Sequence, residues 1–199
     1  MLLSGSDYVL HVESLPRVEI LGTEKQKSLE LAASILNVEE RASHAAVNPN
    51  KFRRDFALGK MAEFGAARYL SKHHGLPLLV PDLGIRTNED RASIQFDVDL
   101  AYSNFNVHVK SIKRSTVCTY EESYNMQWGD PLLTEPTGKD WILLCVVDDA
   151  GRWIDVRGLV RARYVLSEGL WQQPRLAEKK SWKHFLYWEN LNNSITKLS

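Results

Sequence analysis

The stretch FDVDLAYSNFNVHVKS, residues 96–111, decides which fold the sequence favours. Apolar and polar residues alternate along FDVDL and again along NVHVKS, as is typical of half-buried β-strands. Ser103 and Asn104 lie between the two runs, and both residue types favour tight turns. The stretch therefore predicts a β-hairpin.

The predicted hairpin carries its polar side chains on one face. A two-residue turn places Asp97 opposite Lys110 and Asp99 opposite His108, so that all four side chains point to the same side. The Cβ atoms of such cross-strand partners lie roughly 5 Å apart. The apolar residues expected to pack against the core are Val98, Leu100, Val107 and Val109.

This polar face has two interpretations. One is the solvent-facing side of an amphipathic hairpin, with cross-strand ion pairs that contribute about 0.2–1 kcal/mol each. The other is a divalent-metal site, because carboxylates suit Mg²⁺ or Mn²⁺ and a nearby lysine can hold a phosphate or help to activate water. The alternation alone leaves both open.

Flanking segments predict an α/β fold, a mixed β-sheet core flanked by helices. Helical spacing begins at Thr23 and recurs over about 53–72, whereas the apolar run WILLCVV, residues 141–147, is typical of a buried central strand. Glycines and prolines predict a long loop over 119–140. We expect one domain over 1–199, composed of a core at about 53–166, an N-terminal helical extension at 1–50 and a basic, aromatic C-terminal segment at 167–199.

Composition narrows the function classes. The 199 residues hold 25 acidic and 25 basic side chains, which excludes a wholly basic nucleic-acid coat protein but not a local basic groove. No run approaches the ~18 apolar residues of a membrane span, and the first residues do not form a typical signal peptide. Neither cysteine belongs to a Cys-x-x-Cys pair. We therefore expect a cytoplasmic protein without a membrane partner.

Three segments together resemble the core of the PD-(D/E)XK nuclease superfamily, which has the restriction-endonuclease-like fold. In that family, a helix with a glutamate precedes a strand with an aspartate and then a strand with an acid-x-lysine motif. The corresponding segments are GKMAEFGAARYL at 59–70, FDVDL at 96–100 and VHVKS at 107–111. The resemblance extends over about residues 53–166.

The resemblance implies a metal-dependent DNA endonuclease that hydrolyses phosphodiester bonds with Mg²⁺ (or Mn²⁺). Asp97 would ligate the metal, with Asp99 as a second candidate, and Glu63 would reach in from the helix. The backbone carbonyl of Val109 would be a further ligand. Lys110 would position the attacking water and stabilise charge on the phosphate. A restriction, phage or mobile-element role fits the size of the chain.

His108 stands where the family has an acid, and three alternatives follow. The imidazole could ligate a softer ion than Mg²⁺, or act as the base while the carboxylates hold Mg²⁺. Alternatively, catalysis has been lost and the chain is an inactive nuclease-fold protein that binds nucleic acid or a protein partner. A purely structural or inhibitory protein would show neither DNA binding nor metal uptake.

Basic residues are expected to contact DNA phosphates around this site. Each neutralised phosphate adds a salt-dependent increment to affinity. The candidates are Lys113, Arg114, Arg53, Arg54, Arg161, Arg163 and Lys180. A homodimer would suit double-strand cleavage, since each subunit would cut one strand, but the sequence does not decide the oligomeric state.

Overall fold

A computed structural model describes residues 7–35, 48–83, 98–127, 130–175 and 183–196. These residues form a mixed α/β structure, in which helices flank a mixed parallel and antiparallel sheet. This confirms the predicted sheet core flanked by helices. Within the same ranges, no helix is long and apolar enough to cross a membrane.

The described part of the chain contains nine strands and five α-helices. The strands are β1 (Tyr8–Leu10), β2 (Arg17–Glu19), β3 (Leu100–Ala101), β4 (Asn106–Lys113), β5 (Ser123–Gln127), β6 (Asp140–Val147), β7 (Trp153–Arg161), β8 (Trp171–Gln172) and β9 (Lys183–Tyr187). The helices are α1 (Gly22–Ile35), α2 (Pro49–His74), α3 (Arg114–Tyr120), α4 (Ala162–Ser167) and α5 (Trp188–Thr196), with a 3₁₀ turn at Pro131–Leu133.

The main sheet is built around β6, whose eight residues are all buried. Its strand order is β1-β7-β6-β4-β3, and β2 also pairs with β7. Strand β6 runs parallel to β4 and antiparallel to β7, so it has hydrogen-bonded neighbours on both sides. The central strand predicted from WILLCVV is therefore confirmed.

The segment predicted as an N-terminal helical extension, residues 1–50, contributes to this sheet. It contains helix α1, as expected, but its strands β1 and β2 both pair with β7. Val18 of β2 joins the core on the α2 side of the sheet. These short strands therefore share the core that was predicted for about 53–166.

Helix α2 begins and ends at clear sequence signals. The Asn48 side chain accepts a hydrogen bond from the backbone N–H of Lys51 at 3.0 Å, and Pro49 occupies the first turn. Gly75 ends the helix in the left-handed conformation, with φ of 64°. Within the helix, a Cβ at Gly65 would lie 2.8 Å from Cδ1 of Ile154, so glycine allows α2 to lie close on β7.

A second, small sheet corrects the prediction of a long loop over residues 119–140. Strand β5 lies within that range and pairs with β9, which also pairs with β8. Tyr124 and Met126 alternate and are both buried, but glycine and prolines follow directly after this five-residue strand. Its partner strand lies about 60 residues away, so a local pattern could not reveal the pairing.

Both faces of the main sheet are covered. On one face, α2 packs against a cluster that includes Val107, Leu143 and Leu159. On the other face, residues of the small sheet and of helices α4 and α5 pack against Ile112 and Ile142. Alternate residues of β4 thus enter different core layers, and the hairpin has no fully solvent-facing side at its centre.

Candidate active site

The hairpin has the predicted register. Leu100 pairs with Val107 and Ala101 pairs with Asn106, which is the register that places Asp99 at the level of His108. The backbone N–H of Tyr102 donates to the carbonyl of residue 105 at 2.9 Å and closes the two-residue turn. Asp97, the first candidate metal ligand, lies outside the described residues.

Asp99 lies at the edge of β4, just before the short strand β3 begins. Its Oδ2 accepts the backbone N–H of Val109 at 2.6 Å, so a side chain replaces the next rung of the ladder. Burial raises the pKa of the Asp99 carboxyl, while the Lys110 ammonium and the Val109 N–H oppose that rise. A desolvated acid therefore lies beside the lysine of the acid-x-lysine position.

Glu63 projects from α2 and is only 7% exposed. Its Oε2 lies 2.9 Å from Nζ of Lys60, which also donates to the backbone carbonyl of Asp82 at 3.1 Å. Lys60 further acts to lower the pKa of Asp99, so its charge reaches both acids. Sequence reasoning missed Lys60, although its i,i+3 spacing from Glu63 on a helix was a usable signal.

Lys110 is half-buried on β4 and interacts electrostatically with Asp99. The side chain of Val109 packs against the α2-side core, and its backbone N–H donates to Asp99. The predicted role of its carbonyl as a metal ligand stays a prediction. Lys110 and Lys60 of the Lys60–Glu63 pair thus both lie within electrostatic reach of Asp99 at the edge of β4.

His108 is buried, with 3% of its surface exposed, so the idea of a solvent-facing polar side is wrong at this residue. The reason is the second core layer, which covers this face of the sheet. Its Nε2 lies 3.5 Å from Oδ1 of Asp140, at the start of β6. His108 therefore belongs to a buried polar group centred on Asp140.

Asp140 is held by several donors. Its Oδ2 accepts the backbone N–H and the hydroxyl of Thr137 at 2.7 and 2.6 Å, and its Oδ1 accepts Nδ2 of Asn106 at 3.0 Å. Burial alone raises the pKa of Asp140, but these hydrogen bonds and the His108 ring outweigh it and lower the pKa. Sequence reasoning missed Asp140, since an acid before a buried strand has no distinctive spacing.

A divalent ion such as Mg²⁺ requires several oxygen ligands, and the described residues supply part of such a set. In the described ranges, no group of three or more His, Cys, Asp or Glu side chains is arranged to hold a metal ion. Asp99 and Glu63 offer two hard carboxylates of the kind that Mg²⁺ and Mn²⁺ prefer. A complete site would need further oxygen ligands, and Asp97, the first candidate, lies outside the described residues.

Most of the predicted phosphate-binding residues are anchored by acids or carbonyls. Lys113 lies 2.9 Å from Asp55, and Arg114 lies 3.2 Å from Asp155. Arg54 donates to the carbonyl of residue 149 at 3.1 Å, and Arg161 contacts both Asp7 at 3.1 Å and the carbonyl of residue 138 at 2.8 Å. Arg53 and Arg163 are exposed, and Lys180 lies outside the described residues. Their contact with DNA stays a prediction.

No protein-family model matches the chain, and neither a curated protein nor a solved structure matches it.

Proposed function

We propose that the chain is a DNA endonuclease of the PD-(D/E)XK type, with a restriction-endonuclease-like fold, that hydrolyses phosphodiester bonds with Mg²⁺ (or Mn²⁺). The observation that carries this proposal is the hairpin register, because it sets the Asp99 carboxylate on the backbone of β4 beside Lys110. Helix α2 adds the buried acid Glu63 from the preceding element. The order of elements is the one that the sequence resemblance implies.

Lys110 would act on the scissile phosphate. Lys110 is half-buried as a residue, and electrostatic interactions are stronger in such surroundings than in bulk water. A fixed cation at this position stabilises the charge that develops on phosphate oxygens during attack by water. The adjacent Asp99 orients Lys110 electrostatically and is itself held by the Val109 N–H.

Asp99 and Glu63, together with Asp97, would hold the divalent ion. When bound, such an ion supplies Lewis-acid stabilisation of the phosphate and lowers the pKa of bound water. The chain's own contribution is to keep two carboxylates desolvated and close to positive charge. Lys60 pairs with Glu63 at 2.9 Å and supplies that positive charge.

A second candidate function is an inactive nuclease-fold protein that binds nucleic acid or a protein partner. The burial of His108 against Asp140 favours it, since the family's usual acid is replaced by a side chain that takes part in a structural hydrogen-bond group. The Lys60–Glu63 pair also favours it, because an ammonium already neutralises one of the acids.

Cleavage of supercoiled plasmid tests the proposal. Purified protein is incubated with plasmid in Mg²⁺, in Mn²⁺ and in EDTA, beside Asp97→Ala, Lys110→Ala and the surface control Lys27→Ala. Lys27 is exposed on α1, remote from β4. We expect metal-dependent nicking or linearisation that the control retains and that both site variants lose.

The alternative has a different signature. If wild type and variants leave plasmid, linear duplex and single-stranded DNA intact in every metal, the endonuclease proposal is refuted. DNA affinity that falls steeply with salt, without turnover, would then support the inactive binding protein.

A further inference from the structure

Three exposed arginines and one tryptophan lie beyond the end of β4. The guanidinium carbons of Arg17 and Arg152 lie 4.7 and 4.3 Å from the ring centre of Trp153, and so both contact the indole. Arg114, the first residue after β4, shares an acid with Arg17. We call Arg17, Arg114, Arg152 and Trp153 the arginine strip.

Buried acids hold this strip in place. Arg17 makes two hydrogen bonds to Asp155, at 2.7 and 3.0 Å, and Arg114 makes one at 3.2 Å. Arg152 makes two to Asp148, at 2.8 and 2.9 Å. The two carboxylates thereby fix three guanidinium groups, so little side-chain entropy remains to be lost when an anion binds.

The arginines of the strip are exposed, whereas the acids that hold them are buried. The Arg17, Arg114 and Arg152 side chains are 52%, 55% and 61% exposed, whereas Asp155 and Asp148 are 8% and 6% exposed. Three cations and two anions leave one net positive charge, and nearly all of the accessible charge of these five side chains is positive. Arg17 and Arg114 together use three of their ten N–H groups on Asp155 and make no further hydrogen bond to the described residues.

An open pocket of about 480 Å³ adjoins the strip. Its polar lining includes Arg17, Arg114, Arg157 and Asp155, and its rim carries the exposed thiol of Cys118. Arg157 is paired with Glu122 at 2.6 Å, so it contributes less free charge than the other two arginines. The pocket is a concave surface lined by forked donors, which suits a phosphate group.

We propose that the arginine strip binds backbone phosphates of nucleic acid at a distance from the bond that is cut. This inference rests on the proposed function for its ligand class. Arg114 follows Lys110 by four residues, which is about 13 Å along an extended strand and the axial length of about four nucleotides of duplex DNA. The strip would therefore hold the substrate a few nucleotides from the candidate active site.

Binding of a labelled 20-base-pair duplex in EDTA tests the strip without cleavage. Arg114→Gln leaves Asp155 with both hydrogen bonds from Arg17, and Arg152→Gln leaves Asp148 with two backbone N–H donors. Each variant should lower the slope of log affinity against log salt by about 1, and the double variant by about 2. When salt rises from 50 to 200 mM, the factor by which affinity falls would then be about ten times smaller for the double variant than for wild type.

Arg114→Lys and Lys27→Gln are the matched controls. The lysine keeps the charge but lacks the planar fork, so we expect an intermediate affinity and a retained salt slope. Lys27→Gln removes one exposed charge from α1 and should change neither quantity. An equal loss in Lys27→Gln, or an unchanged slope in the double variant, would overturn the proposal.

The cysteines provide an independent measurement. Cys118 is exposed at the pocket, whereas Cys145 is buried and burial raises the pKa of its thiol. Duplex DNA should protect Cys118 from an uncharged maleimide, and Cys118→Ser should remove the fast-reacting thiol. Undiminished labelling of Cys118 at saturating DNA would also refute the strip as a phosphate site.

The two proposals fail in distinguishable ways. Loss of the salt slope in the arginine variants, with no cleavage by any form of the protein, supports the strip and refutes the nuclease. Cleavage that requires Lys110, with unchanged DNA binding by the arginine variants, supports the nuclease and refutes the strip.

Discussion

Asp99 and Asp140 lie on opposite sides of β4 and are held in opposite ways. Asp140 lies at the junction with β6, where Thr137, Asn106 and the His108 ring surround its two oxygens, and its pKa is lowered. Asp99 lies at the open edge, where Val109 supplies one backbone donor, and its pKa is raised by burial.

This difference separates a structural acid from a candidate functional acid. The charged form of Asp140 is well solvated by the protein and stabilises the start of β6. The charged form of Asp99 is poorly compensated, and such a group lowers the stability of the folded state at neutral pH. Strained or desolvated ionisable groups cluster at functional sites, where a ligand or substrate supplies the missing interactions.

The largest expected effect comes from Asp99→Asn. The amide oxygen can still accept the Val109 N–H, so the fold should remain, but the charge that would hold a cation is lost. We expect the single-turnover rate of plasmid cleavage to fall by about 10³-fold or more, which corresponds to about 4 kcal/mol. Circular dichroism establishes that the variant is folded, and cleavage within tenfold of wild type would remove Asp99 from the site.

Asp140→Ala should have the largest effect on stability. It leaves the Thr137 and Asn106 donors without a buried acceptor, and we expect the free energy of unfolding to fall by about 3 kcal/mol. Urea denaturation measures this loss. An exposed control, Glu135→Ala, should change it by less than about 0.5 kcal/mol. If the two variants unfold alike, Asp140 is not the structural acid of this pair.

The two acids should also give opposite pH dependences. Because the pKa of Asp140 is lowered by folding, this group adds to the free energy of unfolding at pH values above its pKa in the unfolded chain, about 3.9. The contribution is lost as pH falls through the pKa of the folded state. Because the pKa of Asp99 is raised by folding, this group adds fully to the free energy of unfolding below about pH 3.9. The contribution is lost as pH rises through the pKa of the folded state.

Thermal unfolding from about pH 3 to pH 8 measures both contributions. Asp99→Asn should have a higher Tm than wild type at neutral pH, and the difference should vanish toward about pH 3. Asp140→Asn should have a lower Tm at neutral pH, with a deficit that shrinks on acidification. Shifts of the same sign in both variants would contradict the comparison.

The smallest expected effect is that of His108→Gln. Glutamine can still donate a hydrogen bond toward Asp140, so we expect a stability loss of about 1 kcal/mol and cleavage within tenfold of wild type. Were His108 the general base, cleavage would fall by about 10²–10⁴-fold. A pH–rate profile that loses its acidic limb in His108→Gln would assign the base role to His108.

The sequence predicted the features that are specified by residues close together in the chain. Helix α2 has a capping asparagine, an early proline and a terminal glycine, and β6 has a run of apolar residues of strand length. The hairpin register followed from two turn residues and a period of two. Each of these signals lies within the element that it specifies.

The missing parts depend on contacts between distant segments. Alternation shows that His108 and Lys110 share a face, but it cannot show that the small sheet and α4 cover that face. The same limit hid Asp140, whose donors come from a turn and from a neighbouring strand. Of the arginine strip, sequence reasoning named Arg114 alone, because Arg17 and Asp155 meet only across the pairing of β2 with β7.

The pairing of β1 with β7 bears on the order in which the chain folds during synthesis. Tyr8 pairs with Val160, so about 150 residues separate the partners. At 5–20 residues per second, β1 leaves the ribosome roughly 8 to 30 s before its partner exists. Strand β5 is likewise synthesised before its partner β9, which follows about 60 residues later. Such distant pairings slow folding, so the nascent chain would hold unpaired strand edges that a chaperone could protect until β7 and β9 arrive.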